Sequence, residues 1–483
     1  MKKTITLLAF AAFLLSAFGA SAQNSTIIQR NDPEYHVSES ALISPYKYPQ
    51  TIECFNTPDG RSVFVLSLPN HQTIGMEVSG LYISDMVVDT IHDTLYFCGH
   101  TLGVHPHGVI GYCSIYDLFY GAGILSHQDL FYVGNNQEYA VELTRMLYYR
   151  KSNNMPYVAA IGKSNNRYPC LVDMSKSQYG GYIGGCVKDK KESFTDIKSV
   201  TKSSFPLTKH YLVTAGIDTS YGPYISLRYY DLDNVFNISG DQDYVNVFSV
   251  NASDSRRWLL KDVLVSFVGD NIFSTVSYRS QWTYLGLPVG KYNNIHVAFY
   301  DVGALVSHSL FSMVKSIEIP YISVFDAHAR LHRYINQGNS DRVVFLQTTP
   351  TSGNLSSSFC EVDYASLGAS GTVSFFGDRD IRLQGLARFN GFNNYIMSGV
   401  SVANDHKLMY EMETFGLSSS CAVGDRYNYE EKEPMASIRE KRAFKSVAGI
   451  NAPDETYCRK REVPFFIDCT DGERQEDNAA EEN

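Results

Sequence analysis

Asp85, Asp196, Asp262 and Asp326 each stand near the start of a β-rich run, 29, 35, 39 and 35 residues before a recurring polar position at 114, 231, 301 and 361. If these places are equivalent in a radial repeat, the carboxylates converge on one mouth of a central channel. There they would bind a cation or the hydroxyls of a sugar, because carboxylate oxygens accept hydrogen bonds in pairs. The plainer and preferred reading has each aspartate accept backbone N–H groups at its own turn. His328 and His332 alternate with Arg330, so the three share one face of a strand. That face either lines the channel or packs between repeats. His100, His105 and His107 gather in one expected hairpin loop, where two imidazoles flanking Pro106 meet a metal only if a third ligand comes from elsewhere. A solvated loop is the simpler expectation.

Motifs of well-defined chemistry are absent. The chain has no Gly-x-Ser-x-Gly, no His-Glu-x-x-His and no dinucleotide-binding glycine pattern. Gly286 to Lys291 begins like a phosphate loop, but three residues rather than four separate Gly286 from Gly290, and Tyr292 stands where Ser or Thr would hold magnesium. No catalytic residue, metal or cofactor is assigned. Acids occur in every repeat, so spacing alone identifies no carboxylate pair for glycoside hydrolysis.

The elements that must position these residues are strands. A four-residue motif with an acid third recurs at Gly75-Met76-Glu77-Val78, Leu171-Val172-Asp173-Met174, Tyr229-Tyr230-Asp231-Leu232, Phe299-Tyr300-Asp301-Val302, Phe359-Cys360-Glu361-Val362 and Met409-Tyr410-Glu411-Met412. Tyr112-Cys113-Ser114-Ile115 fits with serine in the acid's place, and the mean step is about 56 residues. Each copy follows another β-rich run across a short link bearing Gly, Asn or Ser. Three or four strands per repeat, seven times over, predict an all-β fold: a β-propeller of seven blades, with six to eight the range. One blade cannot bury both faces alone, and radial stacking covers them. A β-sandwich is the alternative.

The stretch Ile83 to Phe119, with Leu95-Tyr96-Phe97-Cys98-Gly99, Gly108-Val109-Ile110-Gly111-Tyr112 and Asp117-Leu118-Phe119, resembles the secreted β-propeller-like repeat proteins of gut and oral Bacteroidetes. The resemblance implies a propeller and an extracytoplasmic location, and carries no activity or functional residue to transfer.

The ends of the chain read differently. Lys2, Lys3, an apolar run from Leu7 to Phe18 and Ala20-Ser21-Ala22 form an export signal cleaved after Ala22. Residues 23–50 are a lead-in that enters the first blade or donates a strand to the last. Residues 51–416 are the propeller. Residues 417–483 are a charged, partly disordered extension, with a short helix expected over Glu430 to Lys445. No later run reaches the length of a membrane-spanning helix. Of 483 residues, 44% are apolar and 19% charged, which excludes a disordered body. A net charge of −10 argues against nucleic acid as a partner. Nine cysteines leave at least one unpaired. Cys98 and Cys113 either face each other across a hairpin as a disulfide or are small buried hydrophobes.

The expected function is an exported, non-enzymatic interaction module for a protein or glycan. The alternative is a carbohydrate-active hydrolase or lyase at the channel mouth. A pocket holding histidines or carboxylates of shifted pKa favours the enzyme, and an aromatic surface favours binding.

Overall fold

A computed structural model describes residues 26–30, 40–47, 50–69 and 72–121, Tyr364, and the strands named below between residues 130 and 470. The signal-like segment 1–22 lies outside the described residues. The fold is all-β: among the described residues, strands form seven antiparallel five-stranded sheets. Sheet 1 contains Ser40–Pro45, Thr51–Asn56, Arg61–Ser67 and Thr73–Ser79, and sheet 2 contains Leu81–Asp89, Thr94–Thr101, Gly108–Ser114 and Leu130–Val133. Sheet 3 contains Val141–Arg150, Pro156–Ser164, Tyr168–Asp173 and Ile183–Val187, and sheet 4 contains Glu192–Ser204, Leu207–Asp218, Tyr224–Asp231 and Asn246–Val250. Sheet 5 contains Trp258–Val268, Ile272–Gln281, Tyr292–Asp301 and Met313–Ile322, and sheet 6 contains Arg330–Asn336, Arg342–Thr351, Asn354–Asp363 and Ala369–Phe375. Sheet 7 contains Ile381–Arg388, Tyr395–Ala403 and His406–Thr414, with the N-terminal strand Thr26–Arg30 as its fourth member.

Sheets 1 and 2 bury apolar side chains on both faces, and the period-2 alternation of their strands decides which neighbour each side chain meets. In sheet 1, Cys54, Phe64 and Leu66 pack on Leu81, Ile83, Leu95 and Phe97 of sheet 2. Their sequence neighbours Phe55, Val63 and Val65 turn the other way, towards Val400 of sheet 7. Cys98 and Ile110 of sheet 2 meet Val141, Leu143 and Met146 of sheet 3. The first strands of consecutive sheets touch, and that of sheet 7 touches that of sheet 1. A short helix, Ile115–Phe119, is capped by Ser114, whose hydroxyl accepts from the Asp117 amide; its Ile115, Leu118 and Phe119 close the core over sheet 2.

Several expectations need correction. Ser114, Asp173, Asp231, Asp301, Glu361 and Glu411 stand on the third strand of their sheets, but Glu77 stands on the fourth strand of sheet 1, so the first copy of the motif is one strand out of phase. Its carboxylate pairs with Arg61 at 3.2 Å, a structural role. The Thr94–Thr101 and Gly108–Ser114 hairpin forms, yet its register pairs Cys98 with Ile110 and Leu95 with Cys113. Cys98 therefore faces sheet 3 while Cys113 joins the core with sheet 1, and no disulfide links them. The segment after residue 417 contributes strands rather than a charged helix. Ala422–Asp425, Glu430–Glu431, Ser437–Lys441, Phe444–Val447, Gly449–Asn451, Cys458–Arg461 and Phe465–Thr470 are the fifth strands of sheets 6, 5, 4, 3, 2, 1 and 7 in turn.

Candidate functional site

Asp85 and Asp196 occupy equivalent places. In each first strand the register slips by one residue just before the aspartate, between Ile83 and Asp85 and between Phe194 and Asp196. Asp262 follows the same slip in sheet 5. A bulge needs room, and glycine supplies it: a Cβ on Gly99 would lie 1.8 Å from the Tyr82 carbonyl oxygen, one on Gly216 1.9 Å from that of Ser193, and one on Gly162, at the matching slip between Leu143 and Arg145 of sheet 3, 2.0 Å from that of Glu142. Asp85 is buried and accepts the N–H of Met86 at 2.9 Å and of Met146, from sheet 3, at 3.0 Å. Asp196 does the same with Ile197 and with Val265 of sheet 5, both at 2.9 Å.

Through the Met146 and Val265 amides these two aspartates join neighbouring sheets. Other seams use other residues. Asn56 of sheet 1 donates to the Ile83 carbonyl and accepts from the Ile83 amide, and Gln384 of sheet 7 accepts from the Ala41 amide at 2.6 Å. In sheet 6 the residue after the slip is Tyr334. Asp326 and His328 lie outside the described residues. His332 stands on the first strand of sheet 6, opposite Leu346.

A different constellation sits where the first strands of sheets 1 to 3 turn towards their second strands. Asp89, 3% exposed, accepts three hydrogen bonds: from the Ile91 amide at 3.0 Å, from His92 Nδ1 at 2.7 Å and from the Tyr148 hydroxyl of sheet 3 at 2.6 Å. An ionised carboxylate only accepts, so Nδ1 is the donor in this contact. His92 is 53% exposed. The Tyr96 ring lies 5.2 Å from that of Tyr148 and 6.2 Å from that of Tyr112.

Tyr112, Tyr116 and Tyr120 are exposed, and the last two stack at 5.8 Å on the short helix. Beside them Asp93 holds a positive φ of 50°, tolerated by aspartate better than by most residues. It binds Lys47 Nζ at 2.8 Å and the Tyr46 hydroxyl at 3.1 Å. The Lys47 hydrogen bond lowers the Asp93 pKa, while burial raises that of Tyr46. The site thus combines fixed hydrogen-bonding groups with aromatic rings. The sequence reading missed it, although the Asp89-x-x-His92 spacing across an expected turn was its visible signal.

The opposite end of the seam between sheets 2 and 3 holds His100. Its ring stacks on Tyr82 at 5.1 Å, its Nδ1 is buried without a hydrogen-bond partner, and desolvation lowers its pKa. The Glu142–Lys163 pair, 2.7 Å apart, lies nearby. His105 is exposed, and the His107 amide donates to Thr101 Oγ1 at 2.9 Å. Among the described residues, no three His, Cys, Asp or Glu side chains are grouped to hold a metal ion, and no helix is long and apolar enough to cross a membrane.

No protein-family model matches the chain, and no curated protein does. Among solved structures, the crystal structure of polysaccharide lyase Uly1 aligns over 78% of this chain and 90% of its own, at 8% identity and a TM-score of 0.42.

Proposed function

We propose that this chain is an exported seven-bladed β-propeller that acts as a binding module for a glycan at the Asp89–His92–Tyr148 site. The propeller reading is supported by the sheet-to-sheet contacts of the first strands, which run from sheet 1 to sheet 7 and return to sheet 1. The binding reading rests on one observation. A buried carboxylate orients an exposed imidazole and a tyrosine hydroxyl beside the rings of Tyr96 and Tyr112. Saccharides present hydroxyls that need fixed donors and acceptors and C–H faces that pack on aromatic rings, and both are available here.

The test is titration calorimetry of the chain from residue 23 onward against host and microbial glycans. The expected result is saturable binding to at least one glycan that is lost in His92→Ala and weakened in Tyr112→Ala. Binding unaffected by either substitution would remove the site from consideration.

A carbohydrate-active hydrolase or lyase is the second reading, favoured by the Asp89–His92 pair, in which a buried carboxylate orients a half-exposed imidazole, the side chain most often used for proton transfer. Chain-length analysis of the bound glycan separates the two: an enzyme shortens it, and a binding module returns it intact.

A further inference from the structure

The fifth strands of all seven sheets come from one segment, 422–470, which visits the sheets in the order 6, 5, 4, 3, 2, 1, 7. They begin at residues 422, 430, 437, 444, 449, 458 and 465, so a new sheet is reached every five to nine residues. Extended chain covers roughly 3.3–3.6 Å per residue, which allows such a segment to step along the outside from sheet to sheet. The other strands run against this order: residues 40–414 fill sheets 1 to 7 in sequence.

Every pairing of the segment is antiparallel. Ala422–Asp425 lies on Ala369–Phe375, Glu430–Glu431 on Met313–Ile322, Ser437–Lys441 on Asn246–Val250, and Phe444–Val447 on Ile183–Val187. Gly449–Asn451 lies on Leu130–Val133 and Cys458–Arg461 on Thr73–Ser79. The last, Phe465–Thr470, lies on the N-terminal strand Thr26–Arg30, which is itself paired with His406–Thr414. Residues 26–414 therefore already supply four strands to every sheet. A single break between Thr414 and Ala422 would divide the molecule into seven four-stranded sheets and one strap that touches them all.

We propose that the outer edges of residues 26–414 form a docking surface for an extended polypeptide, and that segment 422–470 is its ligand, held by strand addition at each sheet in succession. A bare fourth strand presents a row of unpaired N–H and C=O groups to any passing strand. The strap covers these rows with strands of two to six residues. One such strand binds weakly. Tethering makes each next contact intramolecular, so the set holds far more tightly than its parts. This inference stands on the strand pairing and is independent of what the chain binds at Asp89–His92–Tyr148.

The test inserts a protease recognition sequence between Thr414 and Ala422 of the full chain, which folds intact before it is cut. The expected result is that the strap fragment co-elutes with the body in native gel filtration and separates only in guanidinium. A fragment that elutes alone from native buffer overturns the proposal. A second arm places Ile438→Pro, Ser446→Pro and Arg459→Pro in the same chain, deleting an N–H within three strap strands. Release of the cut strap should then shift to lower guanidinium. Release at the parent concentration would show that these pairings do not hold the strap, and would also overturn the proposal.

Discussion

Asp85 Oδ2 accepts the backbone N–H of Met146 at 3.0 Å, from one sheet to the next, and Asp196 Oδ2 repeats the contact with Val265 at 2.9 Å. Both carboxylates are buried, and each also accepts the amide of the residue that follows it. The bulge aims the carboxylate and the glycine opposite makes room, so three residue choices act together at a seam.

Asp85→Ala should remove the acceptor that the Met86 and Met146 amides share, at a cost of about 1–3 kcal/mol for each buried group left unsatisfied. Asp196→Ala should behave alike. Urea denaturation reads the loss as a lower midpoint at unchanged slope. Glycan binding at His92 should survive in whatever fraction remains folded, which separates the structural role of these aspartates from a ligand role.

Gly162→Ala and Gly80→Ala should differ in kind. A Cβ at 162 would lie 2.0 Å from a backbone oxygen that cannot swing away, whereas none of the surrounding atoms lies within 4 Å at Gly80, where φ is +82°. The second substitution incurs only left-handed backbone strain, about 1–2 kcal/mol. The first should destabilise by more than the roughly 1–3 kcal/mol of ordinary overpacking, because the bulge itself must shift. Thermal melts of the two variants side by side check the order.

His100 should make the fold acid-sensitive. Desolvation lowers its folded pKa below the ordinary value of 6.5, so the unfolded chain binds the proton more readily. Its contribution to stability is full above pH 6.5 and falls as pH drops towards the folded pKa. His100→Gln should flatten that part of the stability-against-pH curve. An unchanged slope below pH 6.5 would assign the acid sensitivity to other groups.

Cysteine chemistry should follow burial. Peptide mapping without reduction should recover no fragment linking Cys98 to Cys113, which face different neighbouring sheets. Burial pushes the Cys54 thiol far above its usual range, so its alkylation should proceed only at the rate of unfolding. Rapid labelling of Cys54 in the native state would contradict its placement in the core.

The all-β class was legible because alternation and Gly-, Asn- and Ser-bearing breaks are local properties of a strand. The Thr94–Thr101 and Gly108–Ser114 hairpin follows from them, and so does the option of an N-terminal strand joining the last sheet, which Thr26–Arg30 takes. Register was less legible. It turned Cys98 and Cys113 to opposite faces, because a shift of one residue exchanges the two faces of a strand. The first acid motif fell on a fourth strand because sheets 1 and 2 follow each other through a single residue, Gly80, leaving no break to mark the boundary.

Two features needed the tertiary structure to complete them. The strap strands, two to six residues long, are too short to show alternation, and they pair with edges that the preceding residues supply. The Asp89 site depends on Tyr148, which arrives from a neighbouring sheet 59 residues away. Local spacing determines which residues can share a face of one strand; the packing of one sheet on the next decides which faces meet, and that packing is set by the summed burial of both.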